Sequence, residues 1–244
     1  MRSILIRQII KTEEQQKEGL EKLFTGKTLI YTFLNPVSYI TALDNTKLFG
    51  KFDGIFVDGS ILAVAIQLLY YKKITRRSFD MTSIASYFFS YAEKNAKTIY
   101  IVASKQEEVE RAVEILKKRW RKLRFVGLRN GYFNSKEEKN KEVKHIIETN
   151  PDFLIVGMGT LLQEQFLQEV KNAGFKGIGF TCGGFIHQTA KNEITYYPQW
   201  VNKMNIRFVY RIYKEPHTRK RYLQAAFLFP IKFIQEKIFG SPLF

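Results

Sequence analysis

Asp58 stands in Phe56-Val57-Asp58-Gly59-Ser60, directly after an apolar run that reads as a strand. A carboxylate at a strand end can act as a general base, taking a proton from an attacking hydroxyl. The same Asp-Gly pair can equally form a turn that caps the helix to follow. Gly157-Met158-Gly159-Thr160 comes after a second buried run and suits close approach of a phosphate to backbone N–H groups at a helix start. Asn35-Pro36 and Cys182-Gly183-Gly184 hold corresponding places after two further runs. Other chemistries fit less well. The third glycine of a dinucleotide fingerprint is missing, and no Walker lysine follows the glycines. His145, His187 and His217 are far apart, and no Asp-x-Asp stands ready for a nucleotide-bound ion, so neither a metal nor another cofactor is expected. Cys182 has the makings of a nucleophile, but a lone cysteine is more often a small buried apolar residue. His187 reads as structural or substrate-shaping.

The elements that must position these residues alternate. Strand-like runs fall at 28–33, 52–57, 99–103, 123–127, 153–156 and 177–180, and helical stretches at 61–70, 106–120, 136–149 and 161–170. That order predicts an α/β fold, a Rossmann-like and mostly parallel sheet flanked by helices. Such sheets bind ligands at the carboxyl ends of their strands. Asn35, Asp58, Gly157-Met158-Gly159 and Cys182-Gly183-Gly184 are therefore expected to converge on one crevice.

Charge adds a partner. The 244 residues carry 39 Lys and Arg against 23 Asp and Glu, a net +16, which calls for nucleic acid, anionic lipid or a phosphorylated substrate. Residues 1–195 read as the α/β core. Residues 196–244 read as a basic helical appendage in which Lys203, Arg207, Arg211, Arg219, Lys220 and Arg221 interleave with Trp200, Phe208, Tyr210, Tyr213, Phe227 and Phe233. That pattern suits docking on an anionic membrane surface. No apolar run approaches the roughly 18 to 20 residues that span a bilayer. The first ten residues do not read as a secretory signal, and one cysteine points to a reducing cytoplasm. A non-enzymatic module that binds nucleic acid is the alternative. The arginines gather at one end and no nucleic-acid motif is present, which counts against it.

From about Lys27 to Tyr222 the ordered segments resemble the WecG/TagA/CpsF glycosyltransferase family. The resemblance is carried by Asn35-Pro36, Phe52 to Gly59, Arg77, Gly131-Tyr132-Phe133, Pro151 to Gly159 with Gln163-Glu164, Pro198-x-Trp200, Tyr210-Arg211 and Glu215-Pro216. It departs from the family pattern at Leu161-Leu162, where Pro-Lys is usual, at Arg207-Phe208 in place of Glu-Trp, and at Phe33, where a polar residue is usual. The resemblance implies an inverting, metal-independent transferase. Its donor would be a nucleotide-diphosphate sugar, usually a UDP-sugar, and its acceptor a sugar on a polyprenyl diphosphate. Its setting would be cell-surface polysaccharide or teichoic-acid assembly at the inner face of the plasma membrane, with no nucleic acid as partner. By motif, Asp58 would activate the acceptor hydroxyl, Gln163 would line the donor pocket, and Arg77, Arg211 and Arg221 would face the diphosphates. Asn35, Gly157, Gly159, Thr160, Gly183 and Gly184 are the remaining candidate donor- or substrate-binding positions. Displacement at an anomeric carbon builds negative charge on the departing diphosphate, and guanidinium groups answer it as bidentate partners.

Overall fold

The structure is a computed structural model that describes residues 3–10, 17–26, 28–192, 201 and 207–240. In chain order the elements are α1 (Ile4–Gln8), α2 (Lys17–Leu23), β1 (Leu29–Leu34), α3 (Pro36–Leu43), α4 (Thr46–Phe49), β2 (Gly54–Val57), α5 (Ser60–Tyr70) and α6 (Ile84–Lys94). They continue with β3 (Thr98–Ala103), α7 (Gln106–Arg119), β4 (Arg124–Arg129), α8 (Lys136–Thr149), β5 (Phe153–Gly157), α9 (Leu162–Asn172), β6 (Ile178–Thr181) and α10 (Phe185–Asn192). After them come α11 (Arg207–Lys214), a 3-10 turn at Pro216–Thr218 and α12 (Arg219–Phe239). The strands form one parallel sheet in the order β2-β1-β6-β5-β3-β4, flanked by helices.

β5 sits inside the sheet, and every one of its residues is buried. Its unbroken apolar run, Phe153-Leu154-Ile155-Val156, is what a strand covered on both faces requires. β4 lies at the edge, is partly exposed, and has Arg124 and Arg129 at its ends, which blunts an open edge. The expected strands appear within a few residues of their sequence bounds. β4 runs on past 127, to Arg129, and its register with β3 shifts between Ile99 and Tyr100, where Tyr100 pairs with Gly127. A Cβ at Gly127 would stand 2.0 Å from the Tyr100 ring, so this crossing needs a glycine.

The chain divides into two compact units, one made of Met1–Gln15, Phe33–Ser78 and Tyr197–Phe244, the other of Gln16–Thr32 and Phe79–Tyr196. The core of the second is an aromatic cluster. Phe88 of α6 meets Phe153 edge-on at 4.7 Å and Phe24 at 5.8 Å, and Phe79 packs on Phe180 and Phe185. The helix that carries much of this cluster, α6, was not expected from the sequence.

In the first unit α12 lies on α3. Phe233 packs on Tyr39 at 5.3 Å and on Tyr70 at 5.6 Å, while Phe229 stacks on Phe233 at 5.1 Å. Glu236 is buried and accepts hydrogen bonds from the Ser3 hydroxyl and from Tyr39 Oη, the latter at 2.5 Å. Burial, then the Glu236 charge, push the Tyr39 phenol well above its usual range. Lys232 closes an ion pair to Asp44 at 2.6 Å. These contacts fix one side of the C-terminal helix to the body of its unit. Pro198, Trp200 and Lys203 lie outside the described residues.

Candidate active site

The first unit holds Asp58 at the carboxyl end of β2. The Asp58 N–H donates to the Leu34 carbonyl at 2.7 Å, and the Arg77 N–H donates to the Val57 carbonyl at 2.9 Å. Backbone bonds on either side therefore fix the residue next to the carboxylate. The N-cap of α5 is Gly59, not Asp58. Gly59 has φ +107°, a conformation that only glycine adopts without strain, and it turns the chain from strand into helix. Arg76 Nη2 stands 3.5 Å from Asp58 Oδ1, and the same nitrogen donates to Ser78 Oγ at 2.9 Å. The family resemblance singled out Arg77; its neighbour Arg76 is in ion-pair range of Asp58.

Asn35 follows β1 and is the N-cap of α3. Its Oδ1 accepts from the Val37 and Ser38 N–H groups at 2.9 and 3.0 Å, and Ser38 Oγ accepts from the Asn35 N–H to complete a capping box. Asn35 thus has a structural duty at its strand end. Arg221 is exposed on the first turn of α12. The Arg211 side chain lies outside what the structure describes, although its backbone belongs to α11.

The second unit holds the glycine-rich strand ends. Gly157 closes β5 so tightly that a Cβ there would lie 2.7 Å from Cys182 Sγ and 2.9 Å from the Gly183 carbonyl oxygen. Gly159 and Gly183 have φ +84° and +55°, with open space where a side chain would be. They keep the loops before α9 and α10 bare, as close backbone approach to a ligand requires. Gly183, Gly184, Gly159 and Thr160 are all exposed there.

Beneath those loops runs a buried polar chain. Thr181 Oγ1 donates to Thr32 Oγ1 at 2.9 Å, and Thr32 Oγ1 donates to Glu164 Oε1 at 2.9 Å. Gln163 Nε2 donates to the same carboxylate at 2.8 Å, and its Oε1 accepts from the Gly183 N–H at 3.2 Å. The Leu161 N–H donates to Glu164 Oε2 at 2.7 Å. Leu161 itself has φ +77°, a strained angle for a branched residue, and the carboxylate holds it there. Burial pushes the Glu164 carboxyl above its usual range, against the hydrogen bonds from Gln163, Thr32 and Leu161 that favour its charged form. Glu164 and Thr32 therefore tie together the ends of β1 and β6, the start of α9 and the Gly183 loop. Gln163 is buried, and its carboxamide is engaged with Glu164 and Gly183.

Other singled-out residues have clear duties. Cys182 is buried, and burial pushes its thiol up to about 12, so at neutral pH it is not a thiolate nucleophile. His187 Nδ1 lies 2.7 Å from Glu108, joining α10 to α7. In Gly131-Tyr132-Phe133 the glycine N–H donates to Ser104 and the phenylalanine stacks on Phe166, with the Arg129 guanidinium over its ring at 3.9 Å. Tyr132 is exposed. Among the described residues no group of three or more His, Cys, Asp or Glu is placed to hold a metal ion.

Known proteins match almost the whole chain. A UDP-Gal:alpha-D-GlcNAc-diphosphoundecaprenol beta-1,4-galactosyltransferase from Shigella boydii is 34% identical over 235 residues, 96% of this chain and 97% of the relative. An N-acetylglucosaminyldiphosphoundecaprenol N-acetyl-beta-D-mannosaminyltransferase from Bacillus subtilis (strain 168) is 23% identical over 211 residues, 84% of this chain and 79% of the relative. The model of the "Glycosyl transferase WecG/TagA/CpsF family" matches residues 6–242, and the chain belongs to that family of glycosyltransferases.

Proposed function

We propose that this glycosyltransferase moves a hexose from a UDP-sugar, UDP-galactose first among them, onto N-acetylglucosamine carried by undecaprenyl diphosphate. The observation that carries the reading is Asp58, a carboxylate set at a strand end, backed by Arg76 and flanked by a glycine turn. The nearly full-length relative at 34% identity supports the donor and the acceptor. A β-linked product from an α-linked nucleotide sugar requires inversion, which a single displacement achieves with one base and no enzyme nucleophile. In this mechanism Asp58 takes the proton of the acceptor hydroxyl as its oxygen attacks the anomeric carbon. The bond to the diphosphate breaks, and UDP leaves with the bonding electrons. Arg77, Arg211 and Arg221 supply cationic charge to the departing diphosphate, and the exposed backbone at Gly159-Thr160 and Gly183-Gly184 is suited to a phosphate group. Gln163 and Glu164 hold the glycine loops in shape for that task.

The C-terminal segment suits a lipid-borne acceptor. On α12, Leu223, Phe227, Ile231, Ile234 and Ile238 are exposed, and Arg219, Lys220 and Arg221 precede them in the first turn. That combination favours peripheral docking on an anionic membrane at its cytoplasmic face. Among the described residues no helix is long and apolar enough to cross a membrane.

A thermal-shift screen against UDP- and GDP-sugars, with oligonucleotides as controls, tests the donor. A ligand held at 100 times its Kd raises stability by about 2.7 kcal/mol. Stabilisation by a UDP-hexose is the expected result. Silence across the sugars, with a salt-sensitive response to oligonucleotides, would instead favour a nucleic-acid-binding module.

A further inference from the structure

Helix α5 begins two residues after Asp58 and contains no charged residue in Ser60–Tyr70. Its inner face is ordinary core, with Leu62 and Ile66 fully buried. Its outer face is mostly apolar, with the exposed Gln67 amide on it. Ile61, Val64 and Leu68 are 46%, 54% and 67% exposed, and Tyr71, just past the helix, is 88% exposed. Steps of three and four residues put Ile61, Val64 and Leu68 on one stripe about 10 Å long, and Tyr71, in the left-handed C-cap conformation, stands just beyond it. A helix this rich in apolar residues is normally covered over most of its surface. A contiguous exposed stripe of this kind marks a contact surface.

We propose that α5 is a second membrane-contact element, whose stripe Ile61, Val64 and Leu68, with Tyr71 just beyond it, seats in the headgroup boundary of an anionic bilayer. The proposal rests on the lipid-linked acceptor argued above. Charge selects the occupant. The chain leaving α5 carries Lys72, Lys73, Arg76 and Arg77 within six residues of Tyr71, and the chain as a whole is +16. An apolar stripe bordered by cations is the pattern of an interfacial helix, whereas a second copy of the chain would bring its own positive charge to the same place. The exposed stripe of α12 belongs to the same unit, and α5 is joined to α12 through Tyr70, Phe233 and Lys237, whose ammonium lies 4.7 Å over the Tyr70 ring. Seating α5 explains a requirement of the reaction. An acceptor anchored in a bilayer presents its sugar just above the headgroups, and the base must work at that height. A helix that starts beside Asp58 and lies on the lipid holds it there.

The test is vesicle flotation of the full chain, using phosphatidylcholine with or without phosphatidylglycerol, and no sugar donor. The Val64→Glu, Leu68→Glu double variant alters only exposed positions, so an unchanged melting temperature is expected. It should bind phosphatidylglycerol vesicles about tenfold or more weakly than the parent, given the apolar surface lost from the interface. Its turnover on an acceptor embedded in those vesicles should fall by a similar factor, while turnover on a short-chain, water-soluble acceptor stays at the parent's level. As an independent reading, Leu68→Trp should show fluorescence quenching by brominated lipid beyond that of the parent protein. Unchanged vesicle binding by the double variant, or no added quenching of the introduced tryptophan, would overturn the proposal. So would a dimer in solution that the double variant dissociates, because a second copy would then cover the stripe. Flotation needs no transfer, so loss of binding in the variant upholds this role even if lipid-linked N-acetylglucosamine proves not to be the acceptor.

Discussion

Asp58→Asn is expected to lower kcat by about 10²- to 10⁴-fold, the usual contribution of a positioned general base, and to leave the fold standing. Asparagine keeps the size of the side chain and an acceptor oxygen, and it removes only the ability to take a proton. The structural cost is small. The Asp58–Arg76 pair is partly solvated, with side chains 31% and 22% exposed, and such pairs are worth at most about 1 kcal/mol. For a chain of this size that loss moves the melting temperature by about 2 to 4 °C. A hundredfold fall in turnover cannot come from unfolding on that scale. Rate and melting temperature measured on the same preparation separate the two effects. Near-normal turnover by the asparagine variant would reduce Asp58 to a turn residue.

Glu164→Ala should be the most destabilising single change at the site. Three donors lose their acceptor at once, namely Thr32 Oγ1, Gln163 Nε2 and the Leu161 N–H. Each buried donor left unsatisfied costs about 1 to 3 kcal/mol, so the total loss is about 3 kcal/mol or more. Chemical denaturation of the variant reads this directly. Because Gln163 also holds the Gly183 N–H, loosening the network should raise KM for the sugar nucleotide more than it lowers kcat. The pH dependence has a defined sign. Burial raises the folded-state pKa of Glu164 above its unfolded value. The protonated form is therefore favoured by folding, and this contribution is present below the unfolded pKa and lost as pH rises through the folded one. The stability gap between the parent and Glu164→Gln, a neutral side chain at every pH, should accordingly be widest in acid and narrow toward neutrality. A gap that widens with rising pH would mean that the hydrogen bonds outweigh burial.

Much of this was legible from the residues. Unbroken apolar runs such as 153–156 mark buried parallel strands, because both faces of such a sheet are covered. Asp58, Gly157 and Gly183 announced themselves by standing at the ends of those runs. What stayed hidden depends on contacts between distant residues. Helix α6 is rich in aromatic residues and serine, and its inward set Ile84, Ala85, Phe88, Phe89 and Ala92 makes sense only against Phe24, Phe153 and Phe180. Thr32 gained meaning from Glu164, 132 positions away. The reach of Arg76 to Asp58 became visible only in the strand-end geometry. Glu236 is one of few acids in a basic stretch, and it is the buried acceptor for Ser3 and Tyr39.

The most direct measurement is a transfer assay with radiolabelled UDP-galactose and N-acetylglucosamine linked through diphosphate to a polyprenyl chain, with the product's linkage determined by NMR. The expected result is one galactose added per acceptor in a β linkage, with UDP released in equal amount and about a hundredfold or more less product from Asp58→Asn on the same timescale. An α-linked product would contradict single displacement. No product from this or any other UDP-hexose, with folded protein and acceptor in vesicles, would contradict the proposed reaction itself.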